Sequence, residues 1–229
     1  MNARLSRTHN VLKSSFLCQR KLSTGRTYPS IAYTNPTTAD DRATTSIPTL
    51  TASQHKCLDQ ALRVDQAGEI AANYIYQGQM AVLGRDKVVG PLIQDMWDQE
   101  KKHLDVMNKL QIQYRVRPTI LSDVARAGGF ILGAATALMS KEAAMACTEA
   151  VETVIGEHYD DQLKEMENLP TGHPSITLLK DVIKEFRDDE LEHLDTAVEH
   201  HSQRAPAHAL LSTVVGTGCK VAIELCKRF

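Results

Sequence analysis

Apolar residues recur three and four positions apart over long stretches from residue 51 onward, and no stretch alternates as a half-buried strand would. The chain therefore reads as all-α. Pro91, Pro118, Pro170, Pro174 and Pro206 punctuate these stretches, because proline suits the first turn of a helix and breaks its interior. Helices are expected over roughly 53–84, 91–114, 120–139, 142–168, 175–203 and 208–226.

The inward stripes of four of these helices carry polar interruptions. In the second the stripe runs Ile93, Met96, Glu100, His103, Met107, Leu110; in the fifth it runs Leu179, Ile183, Phe186, Glu190, His193, Ala197. Each contains Glu-x-x-His, a spacing that stacks a carboxylate and an imidazole on one face. The first helix places Glu69 on the stripe Leu58, Leu62, Asp65, Glu69, Ala72, Tyr76. The fourth places Glu152 on Met145, Thr148, Glu152, Ile155, Tyr159, Met166, whereas Glu149 shares another face with Glu142, Thr153 and Asp160.

Composition fits one helical domain: 229 residues, 42% hydrophobic and only 5% aromatic. Residues 1–39 hold Arg4, Arg7, Lys13, Arg20, Lys21 and Arg26 and no acid, in a Ser/Thr-rich setting like that of a mitochondrial transit peptide. Residues 1–50 are accordingly expected to be a leader and linker, and 51–229 the domain. The remainder is acidic, which excludes a nucleic-acid-binding surface. Cys18, Cys57, Cys147, Cys219 and Cys226 are dispersed without a Cys-x-x-Cys pair, so they are expected to be ordinary thiols. Two apolar segments, 128–139 and 206–229, have no place in a four-helix core. Either could lie in a membrane interface, meet a partner or be buried in the domain.

A buried carboxylate without a counter-charge is so costly that inward acids on four helices call for a common cation. Bundles of the two-metal carboxylate kind take a Glu from each of two helices and Glu-x-x-His from each of the other two. Glu69, Glu100, His103, Glu152, Glu190 and His193 supply that set, and six such ligands without a thiolate suit iron or manganese better than structural zinc. Asp65, His158 and Tyr159 are candidates to support these ligands, Asp65 as an acceptor for a ligand histidine. Asp188, Asp189 and Glu192 lie on other faces and are expected to be solvated.

The stretches LRVDQAGEIAANYIYQGQM (62–80), DQEKKHLDVMN (98–108), AMACTEAVETVIGEHYDDQL (144–163) and EFRDDELEHLDTA (185–197) resemble the demethoxyubiquinone hydroxylases, di-iron monooxygenases of ubiquinone biosynthesis. The resemblance implies a ferritin-like four-helix bundle with two additional apolar helices, and iron ligands at the six positions above. His158 and Tyr159 match the family's His-Tyr pair beside the site. It further implies ring hydroxylation of a polyprenyl demethoxyubiquinol using two irons, O2 and two electrons, with NADH as the donor. The partners implied are a lipid-presenting protein and other ubiquinone-biosynthesis proteins. The implied location is the matrix side of the mitochondrial inner membrane, with peripheral contact. Two alternatives stay open: a ferritin-like iron-oxidising storage protein, and a noncatalytic scaffold for quinone-biosynthesis enzymes.

Overall fold

Six α-helices follow one another among residues 30–33, 49–169 and 173–229, the residues described by the computed structural model. They are α1 (Ala52–Leu83), α2 (Val89–Tyr114), α3 (Ser122–Met139), α4 (Lys141–Glu167), α5 (Pro174–Glu199) and α6 (His208–Cys226), with a 3-10 turn at Ser202–Arg204 before the last. No strand occurs among the described residues. Helices α1, α2, α4 and α5 form the bundle of the ferritin-like reading, while α3 packs on α1 and α6 on α4.

Local chemistry sets the helix ends. Thr51 caps α1 in a capping box with Gln54, Ser140 caps α4 through the Ala143 N–H, and His173 caps α5 ahead of Pro174. Ser140 is also the whole of the α3–α4 connection, an extended residue that forces the two helices apart in direction. Helix α5 stops at Glu199, short of the expected 203, because His201 takes φ 69 and a left-handed residue ends the helical ladder.

The expected stripes form the core. Leu62, Ile93, Met107, Leu110, Leu179, Ile183 and Phe186 are wholly buried, and so are the polar interruptions between them. Helix α3 comes so near α1 that their backbones touch: a Cβ added at Gly133 would lie 2.0 Å from the Ile75 carbonyl oxygen. Only glycine permits this approach, which seats α3 on the α1 face of Ala71, Ile75 and Gly78, behind the stripe that carries Glu69.

The leader and linker expected over 1–50 lie outside the described residues except for 30–33, 49 and 50, as do Cys18 and Pro170. Ser30–Tyr33 are seated on the bundle. Tyr33 is buried with Leu58, Val106 and Phe186, and the Glu185 carboxylate accepts from Ile31 and Ala32 N–H.

Candidate metal centre

The four bundle helices point six side chains at one place between them. Ligand atoms of Glu69, Glu100, His103 and Glu190 all lie within 4.8 Å of one another, and so do those of Glu100, Glu152, Glu190 and His193. Glu100 and Glu190 belong to both groups. The six residues expected from the stripes are therefore brought together, all 2% exposed or less.

Each histidine is oriented by a contact at its far nitrogen. His103 Nε2 is 3.0 Å from Asp189 Oδ2, and His193 Nε2 is 2.8 Å from Gln99 Oε1. A carboxylate and an amide oxygen can only accept, so both rings carry a proton on Nε2 and turn Nδ1 inward. His103 Nδ1 lies 3.2 Å from Glu190 Oε1, and His193 Nδ1 lies 3.1 Å from Glu190 Oε2 and 3.2 Å from Glu100 Oε1. The His103 ring also stacks on Phe186.

Tyrosines hold the outer carboxylates. The Tyr159 hydroxyl donates to Glu69 Oε1, and the Tyr76 hydroxyl to Glu152 Oε1 at 2.8 Å. Even so, Glu69 Oε2, both oxygens of Glu100 and His103 Nδ1 are buried without a hydrogen bond. Leaving such atoms unsatisfied is expensive, and together they face the shared space. Four carboxylates and two inward imidazole nitrogens fit two divalent cations in donor type and in charge, since two such ions neutralise the four acids.

Burial, and then the Glu190 charge, push the Glu100 carboxyl up to about 8, and burial raises Glu69 and Glu152 as well. Burial works against the Glu190 charge too, but His103 and His193 on either side hold its carboxyl well below the usual range. A cation must therefore displace the Glu100 proton below about pH 8. Protonated carboxyls bind metal poorly, so affinity should climb as pH rises toward 8, by up to ~10-fold per pH unit for each proton displaced. Adding Mn(II) to weakly buffered metal-free protein should release more acid at pH 6.5 than at 8.5. Equal release at both would contradict this electrostatic picture.

Beside the centre lies a cavity of about 470 Å³ between α1, α3, α4 and α6. Ala67, Ala71, Ile75, Leu132, Val151 and Ile155 line its body, and Glu69, Glu152 and Glu190 stand at its floor with Asp65, His158 and Tyr159. Val124 on α3 and Val214 on α6 border it while remaining largely exposed, so its mouth opens between those two helices.

Two expectations need correction. Asp65 does not accept from either inward histidine; it pairs with His158 Nε2 at 3.2 Å and Gln162 Nε2 at 2.7 Å, because its turn of α1 faces α4. Asp189, expected to be solvated, is the residue that touches His103. Gln99 and Tyr76 were likewise not singled out by spacing. Burial pushes the Cys147 thiol up to about 12 and the Cys219 thiol up to about 11, so these two stay protonated and inert.

A family model described as ubiquinone biosynthesis protein COQ7 matches residues 56–226. The Mus musculus protein named NADPH-dependent 3-demethoxyubiquinone 3-hydroxylase, mitochondrial, is 53% identical over 173 residues, 75% of this chain and 78% of the mouse protein. The Saccharomyces cerevisiae 5-demethoxyubiquinone hydroxylase, mitochondrial, is 48% identical over 189 residues, 78% of this chain and 81% of the yeast protein. The Rhodospirillum rubrum 3-demethoxyubiquinol 3-hydroxylase is 43% identical over 173 residues, 75% of this chain and 78% of the bacterial one.

Proposed function

This chain belongs to the ubiquinone biosynthesis protein COQ7 family, and on that premise we propose how it works as a demethoxyubiquinone hydroxylase. The enzyme adds a hydroxyl to the ring of a demethoxyubiquinol in ubiquinone biosynthesis. The observation that carries the mechanism is the juxtaposition of six inward ligands with an apolar cavity whose floor they form. Storage and scaffold readings leave that cavity without a use.

Glu69, Glu100, His103, Glu152, Glu190 and His193 would hold two irons, Glu100 and Glu190 being the residues that belong to both ligand groups. When bound, the iron pair supplies activation of O2 for insertion of one oxygen atom into the ring. The protein's own part is placement. The apolar walls take the ring and the start of the polyprenyl tail and keep water from the floor. His158, paired with Asp65, and Tyr159, donating to Glu69, are the polar groups there that can hydrogen-bond the ring oxygens. The electrons would come from a reduced nicotinamide dinucleotide. The animal relatives' names print NADPH, where the sequence resemblance suggested NADH. No Gly-rich dinucleotide fingerprint is present in this chain.

The cavity mouth bears on location. Val124, Ile131 and Leu138 recur every seven residues on α3, and Leu210, Val214, Val221 and Leu225 line one side of α6, all well exposed. These two stripes flank the opening, so a membrane-borne polyprenyl tail can enter without crossing water. Helix α6 is long and apolar enough to cross a bilayer by length and composition. Because Val215 is buried and α6 packs along α4, we instead assign it an interfacial place. The relatives' names print mitochondrial, and the matrix face of the inner membrane is the site we favour, beside a lipid-presenting protein and other ubiquinone-biosynthesis proteins.

Supplying the iron-loaded protein with a short-tailed demethoxyubiquinol, reductant and 18O2 should give product carrying one 18O in the new ring hydroxyl; unlabelled product or none would overturn the monooxygenase reading. A second test separates membrane contact from chemistry. Ile131→Asp with Val221→Asp should abolish cosedimentation with vesicles, since each loses about 1.5–3 kcal/mol of apolar burial, yet spare turnover of the short-tailed substrate. Unchanged cosedimentation would remove the interfacial assignment.

A further inference from the structure

The contacts behind the centre continue past Asp189. Its Oδ2, which meets His103 Nε2, also accepts from Lys102 Nζ at 2.8 Å, and the same ammonium donates to Glu185 Oε1 at 3.3 Å. The Lys102 and Glu185 side chains are only 11% and 15% exposed, so water competes little for the pair. Glu185 is in turn gripped by the four residues seated on the bundle ahead of α1. Ser30 Oγ–H and Ala32 N–H donate to its Oε2 at 3.0 and 2.9 Å, and Ile31 N–H donates to Oε1 at 3.2 Å. Ser30 Oγ then accepts from Tyr33 N–H at 2.9 Å, closing a small turn that aims successive backbone amides at one carboxylate. The Tyr33 ring anchors that turn in the core.

We propose that Ser30–Tyr33 form a clamp belonging to the hydroxylase domain, which makes Glu185 and Lys102 positioning residues that fix Asp189 against His103. The inference rests on the two-metal reading of the centre. It has a corollary: removal of the basic leader must leave these four residues attached. Lys102 sits between two carboxylates, so unless Glu185 is held it can swing out, and Asp189 then loses the partner that fixes its oxygen on His103. Among the described residues no such chain reaches His193, whose Nε2 is held by Gln99. The effect must therefore be one-sided.

The test uses the full chain loaded with Fe(II) under anaerobic conditions. Ala32→Pro deletes one clamping N–H, Glu185→Gln weakens the grip, and Lys102→Met cuts the link; Lys102→Arg, whose fork can span both acids, serves as the rescue. Hydrogen exchange at Ile31 and Ala32, iron lost to a chelator, and metal-free Tm are read together. Ile31 and Ala32 amides should be protected in the unsubstituted chain. In the first three variants one of the two irons should leave about tenfold faster while the other keeps its rate, as expected when a ligand loses its outer partner. Lys102→Arg should restore both rates.

Unprotected amides, unchanged iron loss, or both irons loosening in step with a fall in Tm would each overturn the proposal. Fewer than two irons on the unsubstituted chain would overturn the centre itself along with it. Two irons held without a one-sided effect would overturn only the clamp.

Discussion

Glu190→Gln is expected to eliminate ring hydroxylation and to reduce bound iron from two per chain to one or none, with the helices intact. Glu190 belongs to both ligand groups and lies within 3.2 Å of the inward nitrogen of each histidine. Glutamine nearly keeps the shape, so the core has no reason to unfold. It removes, however, the charge common to both ligand groups, and puts an amide where a carboxylate would face the metals. Partners that merely touch a ligand are worth about 10–100-fold in affinity or activity, so loss of a shared ligand should exceed the upper end of that range. Helicity by circular dichroism, iron per chain and product formation should be measured on one preparation. A folded variant with two irons and normal turnover would remove Glu190 from the centre.

The second large effect separates two acids less than one helical turn apart. Glu152→Ala should strip the iron held with His193 and abolish turnover, whereas Glu149→Ala should keep two irons. Glu152 is 2% exposed, takes the Tyr76 hydroxyl and lies 4.0 Å from His193 Nδ1. Glu149 faces away from the centre and meets His208 of α6 at 3.0 Å. Its loss should cost no more than ~1 kcal/mol of stability, as for a pair that water still reaches. The reverse order, measured as iron per chain, would contradict the orientation of α4.

Much of this was readable from periodicity, for a physical reason. An apolar stripe fixes which face of a helix is inward, and a charge on that face cannot be solvated, so Glu69, Glu100, His103, Glu152, Glu190 and His193 declared themselves by interrupting stripes. Asp189 did not. It stands one residue from Glu190 and so points about 100° away from the stripe. Its partial burial comes from Lys102 and His103 of α2, which no pattern within α5 reveals. Asp65 failed in the opposite sense: its inward position was legible, but whether it met a histidine of α2 or His158 of α4 depended on packing between helices.

Residues 30–33 were hidden for another reason. Two of the clamp's three bonds to Glu185 come from backbone amides, and amides leave no mark on side-chain pattern. The cavity was visible only indirectly, as apolar segments at 128–139 and 206–229 with no place in a four-helix core. Its walls depend on α3 lying against α1 at Gly133 and on α6 lying along α4.

The most direct test of the two-metal centre is an anaerobic titration of metal-free protein with Fe(II), counting tightly held iron per chain. Binding should saturate at two, and at fewer than two for Glu190→Gln and Glu152→Ala. Saturation at one iron or none, or at two irons regardless of both substitutions, would contradict a centre built from these six residues.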